Sequence, residues 1–272
     1  MEVTVALFIT VAVIALFCEY MDASIGMGYG TTLSPVLLII GFLPLQVVPS
    51  VLLGQLVGGV AGGIAHHKVG NITLDFRQDM AIKKRLHGLG YIPRSLDSKI
   101  ILLLAVCGIV GAVGAVFFAI SVPTLVLKTY IGAMVVGIGI VILIRRRRKS
   151  NFSWKGLTAI GLVSSFNKGA SGGGYGPLVT GGQIISGREA KSSVGSTTVA
   201  EALVCTVAFV SYLVMKGDIY WTLAAATSVG SVVAGPVAAV TVKRLNDEKL
   251  KLAIGIVTCV LGAVTLAQTY IF

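Results

Sequence analysis

Seven apolar runs are strung along the 272-residue chain, at about 3–21, 45–65, 100–122, 125–144, 198–215, 219–242 and 252–272. Each reaches or approaches the ~20 residues that a helix needs to cross a bilayer, so the chain is constrained to fold as a polytopic membrane protein. With 55% hydrophobic and only 12% charged residues, nothing is left over for a separate soluble domain. No basic stretch precedes the first run and no small-residue cleavage site follows it, so it reads as a retained membrane helix rather than a signal peptide.

Two shorter apolar segments, 157–168 and 176–185, do not fit the spanning length. At 1.5 Å per residue each covers only ~15 to 18 Å, about half of the hydrocarbon core, and they flank the cluster GGGYG at Gly172 to Gly176. They read as the two arms of a re-entrant hairpin. The first half has the same plan around GMGYG at Gly26 to Gly30, with a longer descending arm. Aligning the two clusters superposes Gly41 on Gly187, Val48 on Val194, Ser50 on Ser196 and Gln55 on Glu201. Further along, Gly70-Asn71-Ile72 pairs with Gly217-Asp218-Ile219, and Ile131-Gly132 pairs with Ile254-Gly255. These ordered matches predict a duplication.

The predicted first repeat is 1–144, with a hairpin at 3–42, spans at 45–65, 100–122 and 125–144, and a cytoplasmic segment at 66–99. A basic cytoplasmic linker at 145–155 leads to the second repeat, 156–272, with a hairpin at 157–187 and spans at 198–215, 219–242 and 252–272. The segments 66–99 and 145–155, the pair Arg188 and Lys191, and the set Lys243, Arg244, Lys249 and Lys251 hold nineteen of the 22 basic residues. All fall on one side of the membrane if each half crosses three net times, which places both termini outside and inverts the second half relative to the first. The fold class is therefore all-α and polytopic, as two inverted-topology repeats, each a broken helix hairpin plus three spans. Inverted repeats with broken helices hold their site near the midplane in secondary transporters.

The net charge of +11 is accounted for by this topology, and no nucleic-acid partner is expected. The run Arg145 to Lys149 reads as a helix anchor against anionic lipid. The segment 74–86 can form a short amphipathic helix at the same face, and His66 and His67 are taken as interfacial. Cys18, Cys107, Cys205 and Cys259 stand alone in apolar stretches and read as small buried hydrophobes, so neither a metal nor a cofactor is expected. The small-residue face from Gly54 to Gly63 can pack within one chain or between two, which leaves a homo-oligomer open.

Glycines at the breaks permit left-handed backbone and let amides converge, and a helix starting there presents its positive end to the same spot, where an anion is stabilised. The candidate binding set is Gly26, Gly28, Tyr29, Gly30 and Thr31 from the first break, with Ser165, Asn167, Lys168, Gly172, Gly174, Tyr175 and Gly176 from the second. Ionisable groups within the bilayer are expensive and mark function, so Glu19, Asp22 and Glu201, with Gln55 opposite Glu201, are the coupling or gating candidates. Lys168 takes the place that Asp22 holds in the first half.

The order DASIGMGYGTTLSPVLL, PLQVVPSVLLGQLVGGVAGGIAHHKVGNI, GASGGGYGPLV and GREAKSSVGSTTVAEAL resembles the sulfite exporter TauE/SafE family, also called toluene-sulfonate uptake permeases. The resemblance covers essentially the whole chain. It implies a small duplicated carrier for sulfur-containing anions: sulfite, organosulfonates or related organosulfur compounds. The chain departs from the usual picture at Lys168 and in its long basic segment between His66 and Lys99. The expected function is secondary active transport of such an anion across the cell (plasma or inner) membrane by alternating access, with a proton or sodium as coupling ion. An anion channel of the same architecture is the alternative. No enzyme chemistry is expected, because the isolated cysteines and adjacent histidines supply neither a nucleophile nor a ligand set.

Overall fold

A computed structural model describes residues 4–78, 91–119, 124–145, 152–171, 175–216 and 219–271. Among these, ten helices form: α1 (Val5–Ile25), α2 (Tyr29–Ile40), α3 (Pro44–Lys68), α4 (Leu96–Ala119), α5 (Thr124–Arg145), α6 (Trp154–Ser171), α7 (Tyr175–Ile185), α8 (Ala190–Lys216), α9 (Trp221–Arg244) and α10 (Asp247–Ile271). Five of them, α1, α3, α8, α9 and α10, are long and apolar enough to cross a membrane. Their polarity is turned inside out relative to a soluble helix. On α1 the outward stripe is Val5, Ile9, Val13 and Phe17, while Glu19, Asp22 and Ser24 are buried among the other helices. Only a surrounding hydrocarbon makes that arrangement stable.

Several boundaries differ from the sequence reading. α6 has 18 residues, ~27 Å of helix and nearly a full crossing, where half a crossing was expected. α8 begins at Ala190, eight residues before the apolar run. Its first turns carry Ser192, Ser193, Ser196 and Thr197, whose polar groups are buried or bonded within the bundle, so polarity there does not mark a helix end. The expected amphipathic helix at 74–86 is overturned where it is described. Phe76–Gln78 is a strand, β1, pairing antiparallel with Tyr91–Pro93, β2, with Phe76 opposite Pro93. Residues 79–90 lie outside the described set.

Small residues set the packing. On α3, a Cβ added at Gly54 or Gly58 would press on Thr227 or Ser231 of α9, and one at Gly62 would come 3.4 Å from the Gly235 Cα. The second stripe, Gly59 and Gly63, meets Ala202 and Val199 of α8. The Gly54-to-Gly63 face is thus filled from within the chain, and close backbone approach replaces the hydrophobic drive that lipid removes. The order of these contacts makes α3 and α9 parallel, and α3 and α8 antiparallel. Likewise Gly132 meets Gly262 and Gly139 meets Gly255, so α5 and α10 cross antiparallel. Both short helices end in the same turn. Gly41 and Gly187 adopt φ of 107° and 93°; their amides bond back to Leu38 and Ile184, and those of the next residues to Leu37 and Gln183.

The basic connections collect at one end of the bundle. The Ala190 amide donates to Asp247 Oδ1 at 2.7 Å, Lys191 Nζ to the Lys243 carbonyl at 2.8 Å, and the Ser153 amide to the Ser186 carbonyl at 3.1 Å. At the same end Arg188 is buried, ion-paired with Asp97 at the start of α4, and donates to Gln183 Oε1 at 2.9 Å. Burial pulls this guanidinium below the ordinary arginine value, and the Asp97 carboxylate opposes the shift. The second carboxylate oxygen of Asp97 accepts the Thr73 amide at 2.7 Å.

His66 corrects the interfacial reading, since it is fully buried. Its Nε2 lies 2.9 Å from the Ala23 carbonyl near the end of α1, and its Nδ1 accepts from Asn71 Nδ2 at 2.9 Å. The Asn71 amide also donates to the Ala239 carbonyl of α9 at 2.8 Å, so a neutral imidazole with its proton on Nε2 ties three helices together. His66→Ala is expected to lower unfolding stability by about 1–3 kcal/mol, because it strands the Ala23 carbonyl and half of Asn71. A thermal melt in detergent checks this, and an unchanged midpoint refutes the role.

Candidate functional site

The two glycine breaks meet. α1 stops at Gly26 (φ 80°) and α2 starts after Gly28 (φ 127°), while α7 starts at Tyr175. A Cβ at Gly176 would stand 2.6 Å from the Gly26 carbonyl oxygen and 2.9 Å from the Met27 Cα. Only a residue without a side chain lets the α7 terminus lie this close to the first break. Thr180, one turn into α7, donates to the Gly26 carbonyl at 3.0 Å. That carbonyl, freed where α1 ends, thereby gains a partner from the other half. Thr197 continues the cluster, 3.0 Å from Thr180 Oγ1 and accepting from Gln183 Nε2 at 2.9 Å. Met27 is fully buried, and Thr258 of α10 donates to its sulfur at 3.3 Å.

On the first-half side the helix end is already occupied. Asp22 Oδ1 accepts the Tyr29 amide at 3.1 Å, so a carboxylate of the chain itself sits at the positive end of α2. Tyr29 is buried, and its hydroxyl lies 2.9 Å from Ser231 Oγ and against Gly54. Glu19, one turn before Asp22, is 0% exposed, and both its carboxyl oxygens lack a hydrogen-bond partner among the described residues. A Cβ on Gly58 would come 2.6 Å from its carboxyl carbon, so that glycine makes the room. Gln55 is buried, with its Oε1 accepting from Cys205 Sγ at 3.4 Å, one turn beyond Glu201 on α8. Gln55 and the Glu201 helix are thereby brought together.

On the second-half side Ser165 is buried and donates to the Gly161 carbonyl at 2.7 Å, and Tyr175 is buried with the α4–α6–α7–α8 cluster. Gly172 and Gly174, and the side chains of Asn167 and Lys168, lie outside the described residues, though Asn167 and Lys168 are on α6. Two candidates do not join the buried group. Thr31 is exposed, with its hydroxyl donating to the Gly28 carbonyl at 3.2 Å, and a Cβ at Gly30 would meet nothing within 4 Å. The sequence reading missed Thr180, Gln183, Thr197, Thr227 and Ser231. Their signal is hydroxyl and amide groups inside apolar helices, four residues apart at Thr227 and Ser231, which looks like ordinary helix composition until the first break and the start of α7 are seen to meet. No group of three or more metal-ligating side chains occurs among the described residues.

Buried carboxyls, hydroxyls and glycine backbone gathered where the first break meets the α7 terminus, inside a bundle with an apolar exterior, make this a polytopic membrane protein. The family model described as "Sulfite exporter TauE/SafE" matches residues 86–265. The chain belongs to that family. It is also 26% identical over 277 residues to the "Probable membrane transporter protein YtnM" of Bacillus subtilis (strain 168), an alignment covering 97% of this chain and 84% of that protein.

Proposed function

We propose that the protein is a secondary active transporter of sulfur-containing anions, sulfite or an organosulfonate or related organosulfur compound, working by alternating access between two inverted-topology halves. The observation that carries the reading is the meeting of the first break with the start of α7, where Gly176 packs on the Gly26 carbonyl. Supporting the inversion, helices that correspond in the alignment, α3 with α8 and α5 with α10, run antiparallel to each other. Because Asp22 fills the positive end of α2, the anion is drawn to the α7 terminus, with Ser165, Tyr175, Gly176 and Lys168 from the second half. The basic end of the bundle faces the cytoplasm on this reading, and both termini face outward.

The test is thermal stabilisation of the purified protein by sulfite, thiosulfate and short organosulfonates against matched carboxylates and chloride. A ligand at 100-fold its Kd adds about 2.7 kcal/mol, enough to resolve. Stabilisation by a sulfur anion alone is expected, with both Lys168→Ala and Gly176→Ala losing it. Stabilisation by carboxylates alone would exclude the sulfur class. Saturable counterflow in vesicles separates a carrier from an open pore.

A further inference from the structure

We infer that Glu19 is a proton-binding residue, and that the carried anion travels together with that proton. The inference rests on the anion-carrier reading above and adds its coupling ion. Glu19 is wholly buried in α1, and among the described residues neither carboxyl oxygen has a hydrogen-bond donor. An ionised carboxylate held so would cost far more than a hydrogen bond returns, and a group in this position neutralises by taking up a proton.

Among the described residues, the groups that face it supply no countercharge. Asp22 lies on its own helix and Glu201 on α8, and both act on Glu19 as like charges. Cys18 on α1 and the Tyr29 hydroxyl from α2 are the other titratable neighbours that sense it. α3 contributes Gly58 and, one turn earlier, Gln55; α9 contributes Ser231, whose Cβ and the Glu19 carboxyl would both press on a Cβ at Gly58. Carboxyl groups from both halves thus bear on the buried Glu19.

The halves differ here in a way that separates two ligands. Glu19 and Asp22 align with Ser165 and Lys168, so the first break carries acid where the second carries a hydroxyl and a base. An anion seated at the second break is tolerated only while Glu19 is neutral. When the site opens to water, the Glu19 O–H bond breaks, the proton passes to water, and the carboxylate left behind repels the anion outward. Proton and anion therefore enter and leave together, and net charge moved per cycle is reduced by one.

Infrared spectroscopy of the protein in lipid at neutral pH reads the proton directly. The C=O stretch of a protonated carboxylic acid is expected in wild type, shifted in heavy water, absent in Glu19→Gln and retained in Glu248→Gln, which alters an exposed acid. Should Glu19→Gln fail to fold, the carbodiimide adduct mapped in wild type assigns the proton instead. Dicyclohexylcarbodiimide adds the acid O–H across its C=N bond, and mass spectrometry is expected to find the adduct at Glu19. In proteoliposomes, radiolabelled sulfite uptake by wild type should rise several-fold with an acid exterior, and that response should vanish in Glu19→Gln. An acid band that is missing in wild type, or that survives Glu19→Gln, overturns the proton site. Wild-type sulfite flux indifferent to the proton gradient overturns the coupling. A wild-type protein with the band and the adduct but no sulfite flux upholds the proton site and overturns the substrate reading instead.

Discussion

Gly230→Ala is expected to be among the most damaging single-methyl changes in the molecule. The added Cβ would run into the Ala12 carbonyl oxygen and stand 2.8 Å from the Leu16 amide nitrogen, both backbone atoms of α1. No side-chain rotamer relieves that contact, so α9 and α1 must separate along their whole parallel interface. Overpacking costs about 1–3 kcal/mol in ordinary cores, and a backbone clash at a helix crossing belongs at or beyond the top of that range. Since membrane helices hold one another chiefly by close packing, little else compensates. The thermal midpoint in detergent should fall by many degrees. Gly137→Ala is the control, because its Cβ would meet nothing within 4 Å. Equal melting of the two variants would refute the packing account.

The second large effect is Arg188→Ala. It removes the guanidinium from a largely buried ion pair, leaves the Asp97 carboxylate without its cation, and takes the donor from Gln183 Oε1 and Ser196 Oγ. Breaking such a pair from one side costs about 3–5 kcal/mol, because the surviving charge stays buried. Replacing both partners, in Arg188→Leu with Asp97→Leu, is expected to recover much of the loss. The pair joins the first half to the second at the basic end, so unfolding of the single variant should begin there. Hydrogen exchange of the α4 and α8 amino-terminal turns reads that directly. A double variant no more stable than Arg188→Ala would show that charge burial is not the cause.

Five of the spans were legible in the sequence because an apolar run of spanning length has few other fates in water or lipid. The break between α1 and α2 was legible because a glycine cluster interrupts an apolar run there. What the runs could not give was the ends of α6 and α8. Ser192, Ser193 and Ser196 read as the outside of a membrane helix, yet Ser192 bonds to the Asn71 carbonyl and the other two bond back to the carbonyls of Glu189 and Ser192, which lets polar residues continue a helix inside a bundle. His66 was misread for a related reason: adjacency to His67 says nothing of Ala23 and Asn71, its partners in space. At the site, Glu19 and Asp22 announce themselves as charges within an apolar helix. That Asp22 caps α2 while Glu19 has no hydrogen-bond partner among the described residues is decided by a turn of one helix and a glycine on another, and no single segment records it.

The matched turns at Gly41 and Gly187 carry a consequence for how such a molecule can diversify. Both close their short helix with the same left-handed residue and the same pair of back-bonds, although one is followed by Phe42 and the other by the buried cation Arg188. The hand of the joint is fixed by sterics and tolerates no side chain cheaply, whereas the residue beside it is free to change sign, size or polarity. Two short helices ended this way keep one joint geometry while the residue beside each joint varies on its own, so an apolar side chain can follow one and a buried cation the other.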